Sequence, residues 1–284
     1  MKNAMLDNRV IIIDKPPGHT SHEITTFVKK ITGVSRSGHA GTLDPEVSGV
    51  LPVALGRATK LLRYLSAREK TYVGIMKFRI PQSRESIESL FARFRGEITQ
   101  TPPKISAVRK VPRRRRIYSL KLLEVHGRLA LFETTVDAGT YIRTLCEDMG
   151  KECGGARMEE LRRTAVGRIG EGSASTMQEL VDAIWLGRER GDSSLILSMA
   201  REPESLIELP KVFLRDSSVR SIATGAQVMV PAIESIGDVR TGDRVAIFCG
   251  KRFIGVGVMQ IAGSDLQSMK RGLAIRIERM HLSD

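Results

Sequence analysis

The sequence predicts an α/β (α+β) fold, a mixed and largely antiparallel sheet with helices, followed by a small β-barrel. Three observations predict it. Through residues 10–184, short apolar strand-like runs alternate with amphipathic helical stripes. The pattern then weakens between Gly187 and about Leu209, where charges, Gly191 and Pro203 mark a linker. From Lys211 onward the chain is strand-rich with one short helix. The 284 residues, 41% apolar and 27% charged, suffice for one large domain and one small one. We place these at 1–210, with 187–210 as linker, and at 211–284.

Val10–Ile13 is an apolar run stopped by Asp14-Lys15-Pro16-Pro17-Gly18, a strand entering a turn. Thr20 and Glu23 have capping-box spacing, and Ile24, Phe27, Val28 and Ile31 follow on one helical face toward Gly33. Ser35–Pro45 is rich in turn formers and lacks periodicity, so it reads as a long loop, the kind of segment that carries function. Ala58, Leu61, Leu62 and Leu65 line a second helix, and Ile87, Leu90, Phe91 and Phe94 a third, with a strand over Thr71–Ile80 between them.

Lys104–Arg116 carries seven basic residues and no acidic one, the last four being Arg113, Arg114, Arg115 and Arg116. Pro102 and Pro103 open it, and strands at Ile117–Val125 and Leu129–Val136 follow. It reads as a hairpin-like projection with a cationic tip, suited to a sugar–phosphate backbone, although a solvated loop has the same composition. Ile142, Leu145, Cys146 and Met149 form another helical stripe, and Ser175-Thr176 precede one that runs to Trp185. The tail has a helix at Ser218–Ala223, strands at Arg244–Phe248 and Phe253–Met259, and a closing strand with Ile275 and Ile277.

Lys and Arg number 45 against 32 Asp and Glu, a formal charge of +13. That surplus points to a polyanionic partner, because each phosphate neutralised releases condensed counterions. Cys146, Cys153 and Cys249 form no C-x-x-C pair, which offers neither a disulfide framework nor a structural zinc site. The N-terminal segment has no signal-peptide stretch and no run reaches the length of a membrane span, so a cytoplasmic protein without a membrane partner is expected. There is no phosphate-binding G-x-x-x-x-G-K-[ST] loop, and Gly255-Val256-Gly257 has no third glycine at position 260. His19, His22 and His39 have no Cys or carboxylate completing a metal set. The expected chemistry therefore uses no metal and no cofactor.

The string GHAGTLDPEVSGVLPVALGRATKLL closely resembles the catalytic loop of the pseudouridine synthase family that includes bacterial tRNA pseudouridine synthase B and eukaryotic dyskerin. Four further segments agree in order: IIIDKPPGHTSHEI, EKTYVGIMKF, AGTYIRTLCEDMG and ARMEELRRTAVG. Two others, TPPKISAVRKVPRRRRIYSLKLLEV and LPKVFLRDSSVRSIATGAQVMVPAI, resemble the archaeal and eukaryotic branch, which works in H/ACA guide-RNA particles. The second opens what looks like a PUA domain, a small RNA-binding β-barrel.

The resemblance implies uridine isomerisation in RNA. Asp44 matches the catalytic aspartate, acting on the sugar as nucleophile or in proton abstraction; a carboxylate near C1′ suits the positive charge that develops there. Asp before Pro is also a common turn former. Arg143 matches the arginine that pairs with this carboxylate, which if buried needs such a partner. Tyr72 matches the tyrosine beside the base. Tyr141 and Leu161 resemble pocket walls, Lys15 would shape the site floor, and His39 would enter the gap left by the flipped nucleotide. Lys251 and Arg252, with Lys270 and Arg271, would contact RNA from the tail. The implied partners are an H/ACA guide RNA, an rRNA or tRNA target and the small accessory proteins of that ribonucleoprotein. A guide-independent tRNA modifier and a non-catalytic RNA-binding scaffold are the alternatives; a scaffold has no need of Asp44, Tyr72 and Arg143 together.

Overall fold

The computed structural model describes residues 4–103, 108–266 and 268–281, so Lys104 of the basic stretch lies outside the described residues. The chain forms two compact units, Met1–Arg201 and Glu202–Asp284. In the first, the strands are β1 (Val10–Lys15), β2 (Ser37–His39), β3 (Ser48–Leu55), β4 (Lys70–Phe78), β5 (Gly96–Gln100), β6 (Arg113–His126), β7 (Leu129–Val136), β8 (Ala156–Val166), β9 (Ile169–Gly170) and β10 (Ala200–Arg201). The helices are α1 (Ser21–Thr32), α2 (Leu62–Ser66), α3 (Arg84–Arg93), α4 (Ile142–Lys151), α5 (Met177–Glu189) and α6 (Ser194–Met199).

The strands make one mixed sheet in the order β10-β1-β3-β8-β4-β7-β6-β5, with β2 beside β3 and β9 beside β8. Its pairings are antiparallel except that of β3 with β8, where Ser48 and Gly49 face Arg162 and Arg163 in parallel. Gly49 has φ +105°, and a Cβ there would stand 2.2 Å from the Arg163 carbonyl oxygen. Only glycine lets β3 approach β8 so closely.

Along β4, Lys70, Tyr72, Gly74, Met76 and Phe78 are buried and the residues between them are partly exposed. This two-residue period sends one face into a core where Ile87, Leu90 and Phe91 of α3 and Ile142, Leu145 and Met149 of α4 pack on Met76 and Phe132. Phe132→Ala would empty the centre of that layer at a cost of about 3–5 kcal/mol. A second core lies under α1, α5 and α6, where Ile24, Val28, Leu180 and Ile184 meet Ile11, Ile13, Leu51 and Val53. α1 begins at Thr20 with the reciprocal capping box between Thr20 and Glu23 and ends at Gly33 in the left-handed conformation.

Several strands escape sequence reading. β2 lies within the segment that reads as a loop, and β5, β9 and β10 are not among the expected strands. Two longer strands, β3 and β8, are hidden for physical reasons. β3 is buried on both faces and contains Pro52, so it shows neither alternation nor a strand-like composition. β8 is dominated by charged residues, Arg157, Glu159, Glu160, Arg162 and Arg163. The expected hairpin forms from β5 and β6, but Arg113–Arg116 lie in its stem and not at its tip: they open β6 and pair with Gln100–Glu97 of β5. The pleat splits the run, with Arg113 and Arg115 partly buried beside Ile98 and Gln100, and Arg114 and Arg116 exposed on the other face.

The second unit contains β11 (Lys211–Leu214), α7 (Asp216–Ala223), β12 (Val228–Met229), β13 (Ile233–Ile236), β14 (Arg244–Cys249), β15 (Arg252–Met259), α8 (Gly263–Leu266) and β16 (Leu273–Met280). Its strands form a six-stranded half-barrel in the order β12-β16-β15-β14-β11-β13. Val212, Leu214, Ile222, Val245, Ile247, Ile254 and Ile275 fill its core. Among the described residues no helix is long and apolar enough to cross a membrane.

Candidate active site

The loop between β2 and β3 holds Asp44, and its backbone is tied at several points. Ser21, the first residue of α1, donates its hydroxyl to Leu43 O at 3.1 Å and accepts from Leu43 N at 2.8 Å. Gly18 N donates to Pro45 O at 2.9 Å. The Lys15 ammonium, fully buried at the end of β1, donates to the carbonyls of Pro16, Pro45 and Val47 at 2.9, 3.0 and 2.8 Å. An ammonium has three N–H donors, and all three are used here. Lys15, expected to shape the site floor, does so in part by holding the backbone of the loop that carries Asp44. Burial lowers its pKa, with Arg163 adding to that and Glu46 and Asp44 opposing it.

Arg163 completes the frame and was not singled out from the sequence. It is 1% exposed. Its guanidinium donates to Val50 O at 2.8 Å, to Gly41 O at 3.1 Å and to the Tyr72 hydroxyl. One side chain thus fixes the loop three residues before Asp44 and the phenol on β4. Its sequence neighbour Arg162 points to the opposite face, where it binds both carboxylate oxygens of Asp14 at 2.9 and 3.0 Å. The strand pleat alone assigns the two arginines their different tasks.

Arg143, in the first turn of α4, reaches back to this loop. Its Nη2 lies 3.0 Å from Asp44 Oδ2. The pair is not buried as expected: the Arg143 and Asp44 side chains are 37% and 43% exposed. The carboxylate is therefore open to solvent on one side. Tyr72 and Leu161 are buried in the same apolar cluster as Leu43, Val47 and Ile142, the neighbours of Asp44 and Arg143. Asp44, Tyr72, Arg143 and Leu161 are thereby gathered around one frame from four separate segments.

Tyr141 caps the start of α4 and is partly buried. Its backbone N–H and C=O are both bonded by the side-chain amide of Gln100, at 3.0 and 3.1 Å. Sequence reasoning missed Gln100 and Ser21 because each acts on the backbone of a distant segment, which no local pattern signals. His39 ends β2, partly buried; its Nδ1 has no hydrogen-bond partner among the described residues. Burial lowers its pKa, helped by Arg163 and His22.

A groove of about 480 Å³ opens nearby, lined by residues that include Val73, Ile75, Leu131, Met158 and Leu161. Most of these alternate with Tyr72 and Arg163 along their strands and so lie on the opposite sheet face. Asp44, Tyr72 and Arg143 do not line it, although Glu46 and Val47 of the Asp44 loop, and Leu161, do. Lys251 and Arg252 are exposed at the turn between β14 and β15, and Lys270 and Arg271 are exposed ahead of β16. Among the described residues no group of three or more His, Cys, Asp or Glu could hold a metal ion.

Comparison with known proteins identifies this frame. Residues 29–142 match the family described as TruB family pseudouridylate synthase (N-terminal domain), and residues 143–208 the tRNA pseudouridylate synthase B C-terminal domain. Residues 210–281 match the PUA domain. The chain is 42% identical over 274 residues to a probable tRNA pseudouridine synthase B of Pyrobaculum arsenaticum, covering 95% of this chain and 83% of the relative. A protein of the same description from Archaeoglobus fulgidus is 40% identical over 275 residues, covering 95% and 85%. Among solved structures, a Cbf5-Nop10-Gar1 complex contains a chain that matches with a TM-score of 0.92 at 38% identity, covering 98% of this chain and 86% of that one. An H/ACA ribonucleoprotein bound to a substrate RNA containing 2′-deoxyuridine matches at 0.90 and 36%, covering 98% and 86%. The chain belongs to the TruB family of pseudouridylate synthases and is an RNA pseudouridine synthase with a C-terminal PUA domain.

Proposed function

We propose that Asp44, Tyr72 and Arg143 carry the isomerisation and that the chain works as the catalytic subunit of a guide-RNA-directed particle. The observation that carries the catalytic reading is the Arg143–Asp44 contact, a half-exposed carboxylate held on a tied loop by a guanidinium. In the reaction the C1′–N1 bond breaks with its electron pair going to N1. The uracil turns, C5 bonds to C1′, the C5 proton leaves and N1 gains one. Asp44 meets the positive charge developing at C1′, as nucleophile or by assisting loss of a sugar proton. Arg143 orients the carboxylate.

Tyr72 packs beside the base, with its phenolic oxygen oriented by Arg163. Leu161 and Tyr141 wall the uracil. His39 fills the gap that the flipped nucleotide leaves, its ring stacking on the remaining bases. Arg113–Arg116 contact the backbone of the RNA near the target, and Lys251 and Arg252 contact RNA from the second domain. On this reading residues 1–210 do the chemistry and 211–284 hold RNA.

The likeness to a Cbf5-Nop10-Gar1 complex and to an H/ACA ribonucleoprotein bound to a substrate RNA supports a guide RNA and small accessory proteins as partners, with rRNA or tRNA as target. A cytoplasmic location fits such a partner set. The test is to map pseudouridine in target RNA incubated with the protein, with and without guide and accessory proteins. Product only in the assembled mixture is expected. Efficient turnover of tRNA by the chain alone would favour the guide-independent reading, and no product in either mixture would overturn the proposal.

A further inference from the structure

Between β7 and α4 the chain makes a tight turn, and this turn sets where Arg143 stands. Thr140 N donates to Asp137 O at 3.2 Å. The Asp137 carboxylate in turn accepts from Arg116 N and from the Tyr118 hydroxyl, both at 2.7 Å. Gly139 has φ +80°, and a Cβ there would lie 3.1 Å from Arg115 Nη2 and 3.6 Å from both its Cζ and its Nε. The Arg115 guanidinium thus lies against the turn, and a side chain at position 139 would make it give way by a few tenths of an ångström.

The tightest hold is at Tyr141. This residue is extended, with φ −97° and ψ 106°, and α4 begins after it without a side-chain cap. Gln100 supplies what a neighbouring strand would: its Oε1 accepts from Tyr141 N at 3.0 Å and its Nε2 donates to Tyr141 O at 3.1 Å. The same carbonyl accepts the first helical bond, from Leu145 N at 2.9 Å. Gln100 is 3% exposed. A buried amide is costly unless both ends are bonded, and an apolar side chain would fill the same space if packing were the only requirement. Gln100 also ends β5, where its register partner is Arg113 of the basic run.

We infer that Gln100 is a positioning residue for Arg143: by holding both peptide groups of Tyr141 it sets the start of α4 and so the approach of the guanidinium to Asp44. This rests on the reading of Arg143 as the partner of a catalytic Asp44. Losing the clamp frees the helix start to shift, and a displacement of about 1 Å in a reacting constellation costs on the order of 10²-fold in rate.

The test uses the full chain in whichever mixture makes pseudouridine, reading single-turnover release of tritium from RNA carrying uridine tritiated at C5. Gln100→Met keeps the volume and removes both bonds; Gln100→Glu keeps the acceptor for Tyr141 N–H but sets a second oxygen against the Tyr141 carbonyl in place of the donor. We expect the Met variant to lose about 10- to 100-fold in rate at saturating RNA, with RNA affinity within about 3-fold of wild type. The Glu variant, whose buried carboxyl opposes the Tyr141 carbonyl, also loses rate. Arg143→Lys provides the discriminating background. If Gln100 acts through Arg143, adding Gln100→Met to Arg143→Lys costs little more, because coupled residues are not additive. Wild-type rates in both Gln100 variants overturn the inference, as does a loss that adds in full on the Arg143→Lys background, which would mark general loosening. If Arg143→Lys alone retains normal activity, the reading of Arg143 has failed, and the inference about Gln100 falls with it.

Discussion

Arg143 Nη2 stands 3.0 Å from Asp44 Oδ2 with both side chains over a third exposed, so the pair joins two segments without being buried between them. Ion pairs so exposed add at most about 1 kcal/mol to stability. Arg143→Ala should therefore melt close to wild type yet lose on the order of 10²-fold in rate. Asp44→Asn should lose 10³-fold or more, as an order of magnitude, while binding RNA within a few-fold of wild type. Comparable turnover by purified Asp44→Asn would remove the catalytic assignment.

Lys15 and Arg163 are expected to behave in the opposite way, because their bonds are internal and buried. Lys15→Met strips a charged donor from the Pro45 and Val47 carbonyls and should destabilise the fold by about 2–4 kcal/mol. Arg163→Met should lose stability and activity together, since it releases Gly41 and Tyr72 at once. Denaturant midpoints measured beside turnover check this. A stable, inactive Lys15→Met would point to a direct substrate contact instead.

The split arginine run makes a distinction within it. Arg114→Gln with Arg116→Gln removes two exposed charges and should flatten the salt dependence of RNA binding by roughly one unit for each phosphate no longer neutralised. The single-turnover rate at saturation should be unchanged. Lys251→Gln with Arg252→Gln should act on affinity in the same way. Binding titrations across a salt series decide the matter; an unaltered slope would make either pair mere solvated surface.

Lys70 gives a pH signature. It is buried at the start of β4, where its ammonium donates to Ser66 O and Arg68 O, and burial lowers its pKa from 10.5 to about 8. Between these two values the unfolded chain binds more protons than the folded one, so stability from this group rises with pH. Below about 8 the lysine is charged in both states and the full penalty of burying the charge is present. Wild type should therefore gain stability relative to Lys70→Met as pH climbs through that window. Parallel stability curves for the two proteins would contradict it.

What the sequence determined by itself were features written in local pattern or in a continuous motif. The Thr20–Glu23 capping box and the helical stripe of α4 follow from spacing alone, because each depends on side chains about a turn apart. The motif strings located Asp44, Tyr72 and Arg143 as candidates and identified the family. Tertiary structure decided which groups touch. Arg162 and Arg163 are adjacent and chemically equal, yet the pleat sends one to Asp14 on one face and the other to Gly41 and Tyr72 on the other. β3 was invisible because burial on both faces erases its period, and β8 because charges on a strand mimic a surface loop. Lys15, Ser21 and Gln100 act on backbone groups many residues away. Composition carries no record of such partners, because a carbonyl has no residue type; only the fold brings it within reach.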